Sequence, residues 1–302
     1  MGQTLRLYEV SLRDGLQNEP MTVSTADKLA HLHALVAAGF KDIEVTSFVR
    51  PDWIPQLQDA AEMIAGLPSA DGVRFWALIP NVRGLERALE ADVRHVATFI
   101  SASESHNLKN VNRSVEASME GLAKVIPQAK AAGCRVRSYV STAFGCPFEG
   151  TTDPVRVVEM AVRLRALGAD TIALGDTIGS GHPDQVRALI AALVASGVPI
   201  EAIAVHLHDT RGTALANAYA AWQAGVRELD GAIGGIGGCP YAPGAAGNAA
   251  SEDLAQMFAA MGVETGVDLG VACAAAARMS QVLGRELPGR YYRYHNAFHE
   301  GR

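Results

Sequence analysis

Residues 195–209 read ASGVPIEAIAVHLHD, and this stretch combines the two patterns that decide the fold. Its beginning places Gly197 where a helix should end, because glycine tolerates the left-handed conformation found there. From Ile203 to His208 it has the character of a β-strand. Successive strand residues point to opposite faces, so His206 and His208 share one face and the other face is apolar.

The same order of helix, glycine and short apolar run recurs along the chain. The glycines after the later helices are roughly 30 residues apart, the length of one βα unit. Strands that alternate with helices along a whole chain imply a parallel sheet. We predict eight strands, at residues 5–10, 42–47, 74–79, 95–101, 136–142, 171–174, 203–208 and 228–233.

Eight strands with intervening helices predict an α/β protein, specifically a closed (β/α)8 TIM barrel with additional C-terminal helices. A doubly wound open sheet is the alternative, but the first βα turn lacks the Gly-x-Gly-x-x-Gly of dinucleotide-binding sheets. We interpret residues 1–302 as a single domain, with the barrel at about 4–262 and a helical extension at about 263–302.

Composition narrows the class of protein. The chain has 302 residues, of which 49% are hydrophobic, and its net charge of −6 argues against a nucleic-acid partner. No apolar run approaches the ~20 residues of a membrane helix, and we expect no membrane association. The cysteines lie far apart and the N-terminus has no signal-peptide core, so we expect a reduced, cytoplasmic protein. They are Cys134, Cys146, Cys239 and Cys273.

Polar residues concentrate after the C-terminal ends of the predicted strands, where barrel enzymes carry their chemistry. Asp14, His206 and His208 supply one carboxylate and two imidazoles, which suit an open octahedral site for Mg²⁺ or Mn²⁺. Zn²⁺ also accepts this ligand set, but oxygen-bearing neighbours favour the harder ions. The alternative is a hydrogen-bonded polar cluster without metal. The neighbours are Glu44, Asp176 and Asn248.

Three further features suggest chemistry. Arg13 offers a fixed fork of donors for a carboxylate or an enolate oxygen, although a structural salt bridge to Glu44 or Asp176 is an alternative. Cys239 lies in a glycine-dense loop, where its thiol can act as a nucleophile or proton donor, or be an inert small side chain. Lys109 and Arg113 can contact a phosphate, but exposed basic residues are common.

These motifs carry a family resemblance. The Arg13-Asp14-Gly15 element and the His206-x-His208 pair resemble those of metal-dependent barrels that make or break C–C bonds next to a carboxylate. Within that group, residues 13–19 (RDGLQNE) and 237–244 (GGCPYAPG) resemble the hydroxymethylglutaryl-CoA lyase family. The match runs in order from about residue 5 to 255. It also includes residues 44–48, 145–150, 175–179 and 247–248.

The resemblance implies a cofactor and a set of roles. It implies a divalent metal, Mg²⁺ or Mn²⁺, held by Asp14, His206, His208 and Asn248, and an acyl-CoA thioester as substrate. Arg13 would stabilise the enolate oxygen and Cys239 would act as general acid. His206 or Asp14 would be the base. Lys109 and Arg113 are assigned to the CoA phosphates. The groups that support the substrate would be Gln17, Glu44, Ser47 and Asp176.

The implied reaction is the cleavage of 3-hydroxy-3-methylglutaryl-CoA to acetyl-CoA and acetoacetate, as in leucine catabolism, by a homo-oligomer. Two departures from the family pattern lie near the mouth: Ser11-Leu12 replaces Gly-Pro, and Arg211 replaces Tyr. A related substrate such as citramalyl-CoA is therefore an alternative. A condensing synthase is a second alternative, and an inactive barrel used as a binding scaffold is a third, which an intact set of site residues opposes.

Overall fold

The computed structural model describes residues 4–50, 52–238 and 247–300, and it confirms the closed barrel. Eight parallel strands pair in sequence order, and β8 pairs with β1 to close the barrel. The strands are β1 (Arg6–Glu9), β2 (Asp42–Ser47), β3 (Arg74–Leu78), β4 (His95–Ser101), β5 (Arg135–Ser141), β6 (Thr171–Asp176), β7 (Ile203–Leu207) and β8 (Glu228–Gly231).

Helices cover the outside of the barrel and continue beyond β8. The described helices are α1 (Thr25–Ala37), α2 (Ala60–Ala65), α3 (Val82–Glu90), α4 (Glu104–Val111), α5 (Val115–Ala131), α6 (Pro154–Leu167), α7 (Pro183–Ala195), α8 (Ala214–Gln223), α9 (Ser251–Ala260), α10 (Leu269–Leu283) and α11 (Arg290–Glu300).

Local sequence explains several of these helix ends. The Ser24 side chain accepts a hydrogen bond from the Asp27 backbone N–H at the start of α1. Asp153 caps α6 in the same way, with Pro154 at its first position. At the other end of α6, Gly168 has a φ of 109°, a conformation that a residue with a Cβ adopts only with strain.

The structure shifts some predicted boundaries. β6 continues two residues further than predicted, so Asp176 is the last residue of the strand. β7 ends at Leu207, because His208 pairs in an antiparallel bridge with Asn248 instead of continuing the parallel sheet. The last part of the predicted helical extension forms α11. Here Asp253 accepts hydrogen bonds from the backbone N–H groups of Arg290 and Tyr291.

The side chains pack in two regions of different character, one between the strands and the helices and one inside the ring of strands. Between strands and helices lies a large apolar core. Inside the strands the apolar cluster is small, and buried charged side chains such as Arg137, Glu44 and Asp230 occupy the remaining space. Three of the five buried apolar residues there are alanines, which leave room for the charged side chains. The interior apolar residues are Leu78, Ala97, Tyr139, Ala173 and Ala204.

The extension is joined to the mouth of the barrel. Arg290, the first residue of α11, forms an ion pair with Asp209 at 2.7 Å, and Asp209 directly follows His208 in the chain. The Gly289 backbone N–H donates to the Gly234 carbonyl oxygen after β8. Within the described residues, no helix combines the length and apolar character needed to cross a bilayer.

Candidate active site

A short π-helical turn at Ser11–Gly15 follows β1 and brings Arg13 and Asp14 to the mouth of the barrel. The Val10 carbonyl oxygen accepts from the backbone N–H groups of both Arg13 and Gly15, which fixes the turn. A Cβ at Gly15 would lie 2.7 Å from the Ile236 side chain, so this position needs glycine. The turn places two adjacent, oppositely charged side chains at one strand end.

The two histidines and Asn248 are held together by backbone pairing. The bridge between His208 and Asn248 is flanked by hydrogen bonds from Asp209 N–H to the Gly247 carbonyl and from Ala249 N–H to the Leu207 carbonyl. The Asn248 Nδ2 group donates to Asp14 Oδ2 at 3.0 Å. The predicted ligands from β1, β7 and the segment after β8 therefore meet at one place.

The geometry of this cluster fits a divalent metal ion. The His206 and His208 Nε2 atoms lie 3.1 Å apart, and each is 3.8 Å from Asp14 Oδ2. Adjacent ligands of an octahedral ion, each at about 2.1 Å from it, are separated by about 3 Å. The Asn248 Oδ1 atom is buried without a hydrogen-bond partner, which leaves an oxygen available as a fourth ligand.

The electrostatics of the cluster also favour a cation. Burial alone would raise the pKa of Asp14, but Arg13, His206 and His208 outweigh burial and hold that pKa well below its ordinary value. Burial, together with the charge of the neighbouring His206, lowers the pKa of His208 to about 4. Near neutral pH the site thus presents an ionised carboxylate and a neutral imidazole, the protonation states that metals require.

His206 has a different environment from His208. Burial acts to lower its pKa, but the hydrogen bond from its Nδ1 atom to Asp230, and the Asp14 charge, raise it overall. Asp230 lies directly opposite His206 in the register of β7 and β8. The two imidazoles are therefore not equivalent, and a carboxylate controls one of them.

Arg13 is anchored from two sides. Its Nε atom forms a short ion pair with Glu44, and its Nη1 atom donates to Asp14 at 2.6 Å. The salt bridge to Glu44, the structural alternative for Arg13, thus exists at the mouth and also orients the guanidinium. Glu44 itself accepts from the hydroxyls of Tyr8 at 2.8 Å and Tyr139 at 3.0 Å.

Three predicted supporting residues remain besides Glu44, and each has a different environment. Asp176, at the end of β6, accepts from the backbone N–H groups of Ser180 and Gly181 at 2.9 Å and shapes the following loop. Ser47 is buried and donates to the Leu78 carbonyl oxygen, so its hydroxyl joins β2 to β3. Gln17 is half-buried, three residues beyond Asp14. All three lie in the loops or strand ends around the mouth.

The predicted CoA contacts belong to the segment that follows β4. Lys109 and Arg113, on α4 and the turn after it, are exposed. The Lys109 Nζ atom lies 3.8 Å from the centre of the Phe148 ring, a cation–π contact between two mouth loops. Cys239, predicted as the general acid, lies outside the described residues. Gly238, which precedes it in the chain, accepts a hydrogen bond at its carbonyl from Asn18 Nδ2 at 3.0 Å.

Residues inside the barrel were missed by the sequence patterns. Asp230, Arg137 and Tyr139 belong to the middle of β8 and β5, not to strand ends, and they form a hydrogen-bonded network beneath His206 and Glu44. A signal was present in both strands, because Arg135, Arg137 and Tyr139 alternate with apolar or small residues and Glu228 and Asp230 flank Leu229.

Comparison with known proteins agrees with this arrangement. Residues 4–279 match the HMGL-like family. Hydroxymethylglutaryl-CoA lyase YngG of Bacillus subtilis is 45% identical over 284 residues, which cover 94% of this chain and 95% of that protein. The 3-hydroxy-3-isohexenylglutaryl-CoA/hydroxymethylglutaryl-CoA lyase of Pseudomonas aeruginosa is 45% identical over 281 residues, covering 93% of each chain.

A solved structure shares the whole architecture. The HMG-CoA lyase of Acinetobacter baumannii, in complex with coenzyme A and 3-methylmalate, superposes with a TM-score of 0.91 at 37% identity. The superposition covers 96% of this chain and 94% of that one. Because the family match spans residues 4–279 and these relatives align over nearly the whole length, the chain belongs to the HMGL-like family.

Proposed function

We propose that this chain is a divalent-metal-dependent carbon–carbon lyase that cleaves 3-hydroxy-3-methylglutaryl-CoA to acetyl-CoA and acetoacetate. The observation that carries the proposal is the meeting of Asp14, His206, His208 and Asn248 beside the anchored Arg13 at the mouth of the barrel. Family membership supports the same reaction, since the relatives named above are hydroxymethylglutaryl-CoA lyases.

Asp14, His206, His208 and Asn248 would hold the metal. When bound, a divalent ion acts as a Lewis acid that lowers the pKa of the tertiary hydroxyl of the substrate. The surroundings keep Asp14 ionised and His208 neutral near pH 7, which are the protonation states that a metal ion requires of its ligands. Asn248 contributes an oxygen that makes no other hydrogen bond.

The reaction begins with loss of the hydroxyl proton. Asp14 and His206 are the candidate bases, because His206 Nε2 and Asp14 Oδ2 lie 3.8 Å apart and face the same point of the site. The bond between C2 and C3 then breaks, leaving the ketone of acetoacetate on one fragment. The electron pair of that bond passes into the thioester fragment as an enolate.

Arg13 stabilises the enolate oxygen. Its guanidinium is nine-tenths buried and fixed by Glu44 and Asp14, so it need not reorganise as charge develops on the substrate. Cys239 is proposed to deliver the proton that converts the enolate carbon into the methyl group of acetyl-CoA. A thiol in this role must be protonated, so its pKa should be at or above the ordinary value.

The surrounding groups have supporting roles. Asp176 and Ser47 shape the loops and strand ends that frame the substrate, and Gln17 is proposed to support the substrate from the loop after Asp14. Lys109 and Arg113 are proposed to bind CoA phosphates, since both are exposed cations on the same rim. The identity of the metal as Mg²⁺ or Mn²⁺, a homo-oligomeric state, a cytoplasmic location and a place in leucine breakdown all stay predictions.

The test is direct. Purified protein is incubated with Mg²⁺ and hydroxymethylglutaryl-CoA, and the release of acetyl-CoA and acetoacetate is measured. Parallel reactions contain citramalyl-CoA, or the isohexenyl analogue named for the P. aeruginosa relative. We expect the methylglutaryl ester to give the highest kcat/KM. Release only from citramalyl-CoA would reassign the substrate, and no release from any ester would leave the scaffold alternative.

A further inference from the structure

Asp230 lies in the middle of β8 and is almost completely buried, with 2% of its surface exposed. It is opposite His206 in the parallel register of β7 and β8, so both side chains point into the barrel. It lies at the level of His206, which belongs to the ligand cluster with Asp14 and His208, but within a strand and not in a loop of the mouth. A buried carboxylate at this depth needs partners, and its two oxygens have different ones.

One oxygen of Asp230 determines which ring nitrogen of neutral His206 carries the hydrogen. The Oδ2 atom lies 3.0 Å from His206 Nδ1. A carboxylate has no proton to donate, so Nδ1 must carry the hydrogen of this bond. In a neutral imidazole the other nitrogen, here Nε2, then carries no hydrogen. It lies 3.1 Å from His208 Nε2 and 3.8 Å from Asp14 Oδ2. The lone pair is therefore directed at the proposed metal position.

The other oxygen is held from below. Asp230 Oδ1 forms a short ion pair with Arg137 Nη2, and Arg137 has 1% of its side chain exposed. The Tyr139 hydroxyl lies 3.0 Å from Asp230 Oδ2 and 3.0 Å from Glu44 Oε2. Contacts at both oxygens thus restrict rotation of the Asp230 carboxylate beside His206.

A simpler explanation is that Asp230 only neutralises Arg137. The same guanidinium, however, already pairs with Glu228 through Nη1 and stacks on the Tyr8 ring at 4.1 Å. A second carboxylate on the same strand could satisfy Arg137 without contacting His206. The division of the Asp230 oxygens, one toward the arginine and one toward the imidazole, is the feature that this explanation leaves out.

We propose that Asp230 is a positioning residue that fixes the Nδ1–H tautomer of His206 and thereby keeps Nε2 available as metal ligand or base. Arg137 and Tyr139 act through Asp230 by preventing its rotation. The proposal rests on the proposed function, in which His206 faces a divalent metal ion. It names a residue of the barrel interior, below the mouth, as a determinant of the site.

The decisive variant is Asp230→Asn. Arg137 carries only donors, so the amide oxygen of the new side chain should stay on Arg137 and turn its NH₂ group toward His206. His206 Nδ1 would then have to accept, which moves the ring proton to Nε2. Tyr139 tolerates this change, since its hydroxyl can donate to Glu44 and accept from the amide. The matched control is Glu228→Gln, which removes a carboxylate from the same strand and the same arginine without touching His206.

Two measurements on the full-length protein test the proposal. ¹⁵N NMR of histidine-labelled, metal-free protein at about pH 9 reports the tautomer of neutral His206, assigned by comparison with His206→Gln. Mn²⁺ affinity is measured by electron paramagnetic resonance. We expect Nδ1–H in the wild type and in Glu228→Gln. In Asp230→Asn we expect Nε2–H and about 10- to 100-fold weaker Mn²⁺ binding.

Either of two results would overturn the proposal: an Nε2–H tautomer in the wild-type protein, or folded Asp230→Asn that binds Mn²⁺ as tightly as Glu228→Gln does. The wild-type tautomer is read without the Asp230→Asn variant, so misfolding of Asp230→Asn leaves the test intact. Absence of lyase turnover in the wild type would instead refute the proposed function, because neither the tautomer nor Mn²⁺ affinity depends on the substrate.

Discussion

Arg13 and Glu44 form a buried ion pair that determines which nitrogen atoms of the guanidinium remain for the substrate. Glu44 takes Nε and Asp14 takes Nη1, while Nη2 has no hydrogen-bond partner in the described part of the chain. Glu44 is fixed in turn by two tyrosine hydroxyls. The guanidinium is thus a rigid planar cation whose Nη2 group can donate to an oxygen on which charge develops during the reaction.

The first prediction concerns this guanidinium. Arg13→Gln should lower kcat for hydroxymethylglutaryl-CoA by about 10²- to 10³-fold, the usual effect of losing one donor to a developing oxyanion. The Mn²⁺ content should change little, because the proposed ligands are retained. Steady-state kinetics and a metal titration check both statements. The exposed Arg163→Gln on α6 is the control for charge, and wild-type kinetics in Arg13→Gln would remove its role at the enolate.

The second prediction concerns proton delivery. Cys239→Ala should still bind Mn²⁺ and the CoA ester but lose most of its turnover, since no other group is assigned to quench the enolate. Acetyl-CoA release and ester binding are measured on the same preparation. Cys134→Ala, which removes a buried thiol near the opposite strand ends, should retain activity. Near-normal cleavage by Cys239→Ala would assign the acid elsewhere.

The third prediction uses two neighbouring glycines. A Cβ at Gly237 would lie 2.5 Å from Asn248 Nδ2, and its φ of 128° is already unfavourable for other residues. Gly237→Ala should therefore displace Asn248 and weaken Mn²⁺ binding by about tenfold or more. Gly238→Ala is the control, because a Cβ there meets nothing within 4 Å. Equal Mn²⁺ affinities of the two variants would argue against Asn248 as a ligand.

The fourth prediction concerns pH. Burial raises the pKa of Glu252 from 4.5 to about 8, and the Asp253 carboxyl adds to the shift. Between these values the unfolded chain releases a proton that the folded chain retains. The free energy of unfolding should therefore fall as the pH rises from about 4.5 to about 8, by a few kcal/mol at most.

The Glu252→Gln variant tests this linkage. It keeps the shape of the side chain and its hydrogen bond from the Gly234 backbone N–H but cannot ionise. Its stability should depend less on pH than that of the wild type, with the largest gain near pH 8. Urea unfolding at pH 5 and pH 8, with exposed Glu120→Gln as control, measures the difference. Parallel curves for the wild type and Glu252→Gln would contradict the assigned protonation state.

The sequence predicted the features that depend on local pattern. The eight strands, the glycines after the helices and the polar strand ends all follow from periodicity and backbone conformation. The pairing of His206 with His208 on one face needs only the alternation of a strand. Asp14 and Asn248 are separated by most of the chain. That they lie close together could be predicted only from closure of the barrel and from the family resemblance.

Features that depend on packing could not be predicted from pattern. The π-helical turn at Ser11–Gly15 forms because the Val10 carbonyl accepts two N–H groups, which no spacing reveals. The interior network around Asp230 and Arg137 requires knowing which faces of β5 and β8 point inward. The alternation of polar residues in β5 and β8 indicates a polar face, but both strands have buried residues on each side, so the alternation does not show that this face points into the barrel.

The charged interior of the barrel limits how this protein can be redesigned. Changing substrate preference at the loops leaves the strands intact, but a single replacement of Arg137 would remove the guanidinium partner of buried Asp230 and leave Glu228 paired only with the exposed Arg6. Replacing the three residues together removes that conflict and should cost less stability than the single changes suggest. The charged interior of the strands therefore has to be changed as one unit, whereas substitutions in the loops above it leave these ion pairs intact.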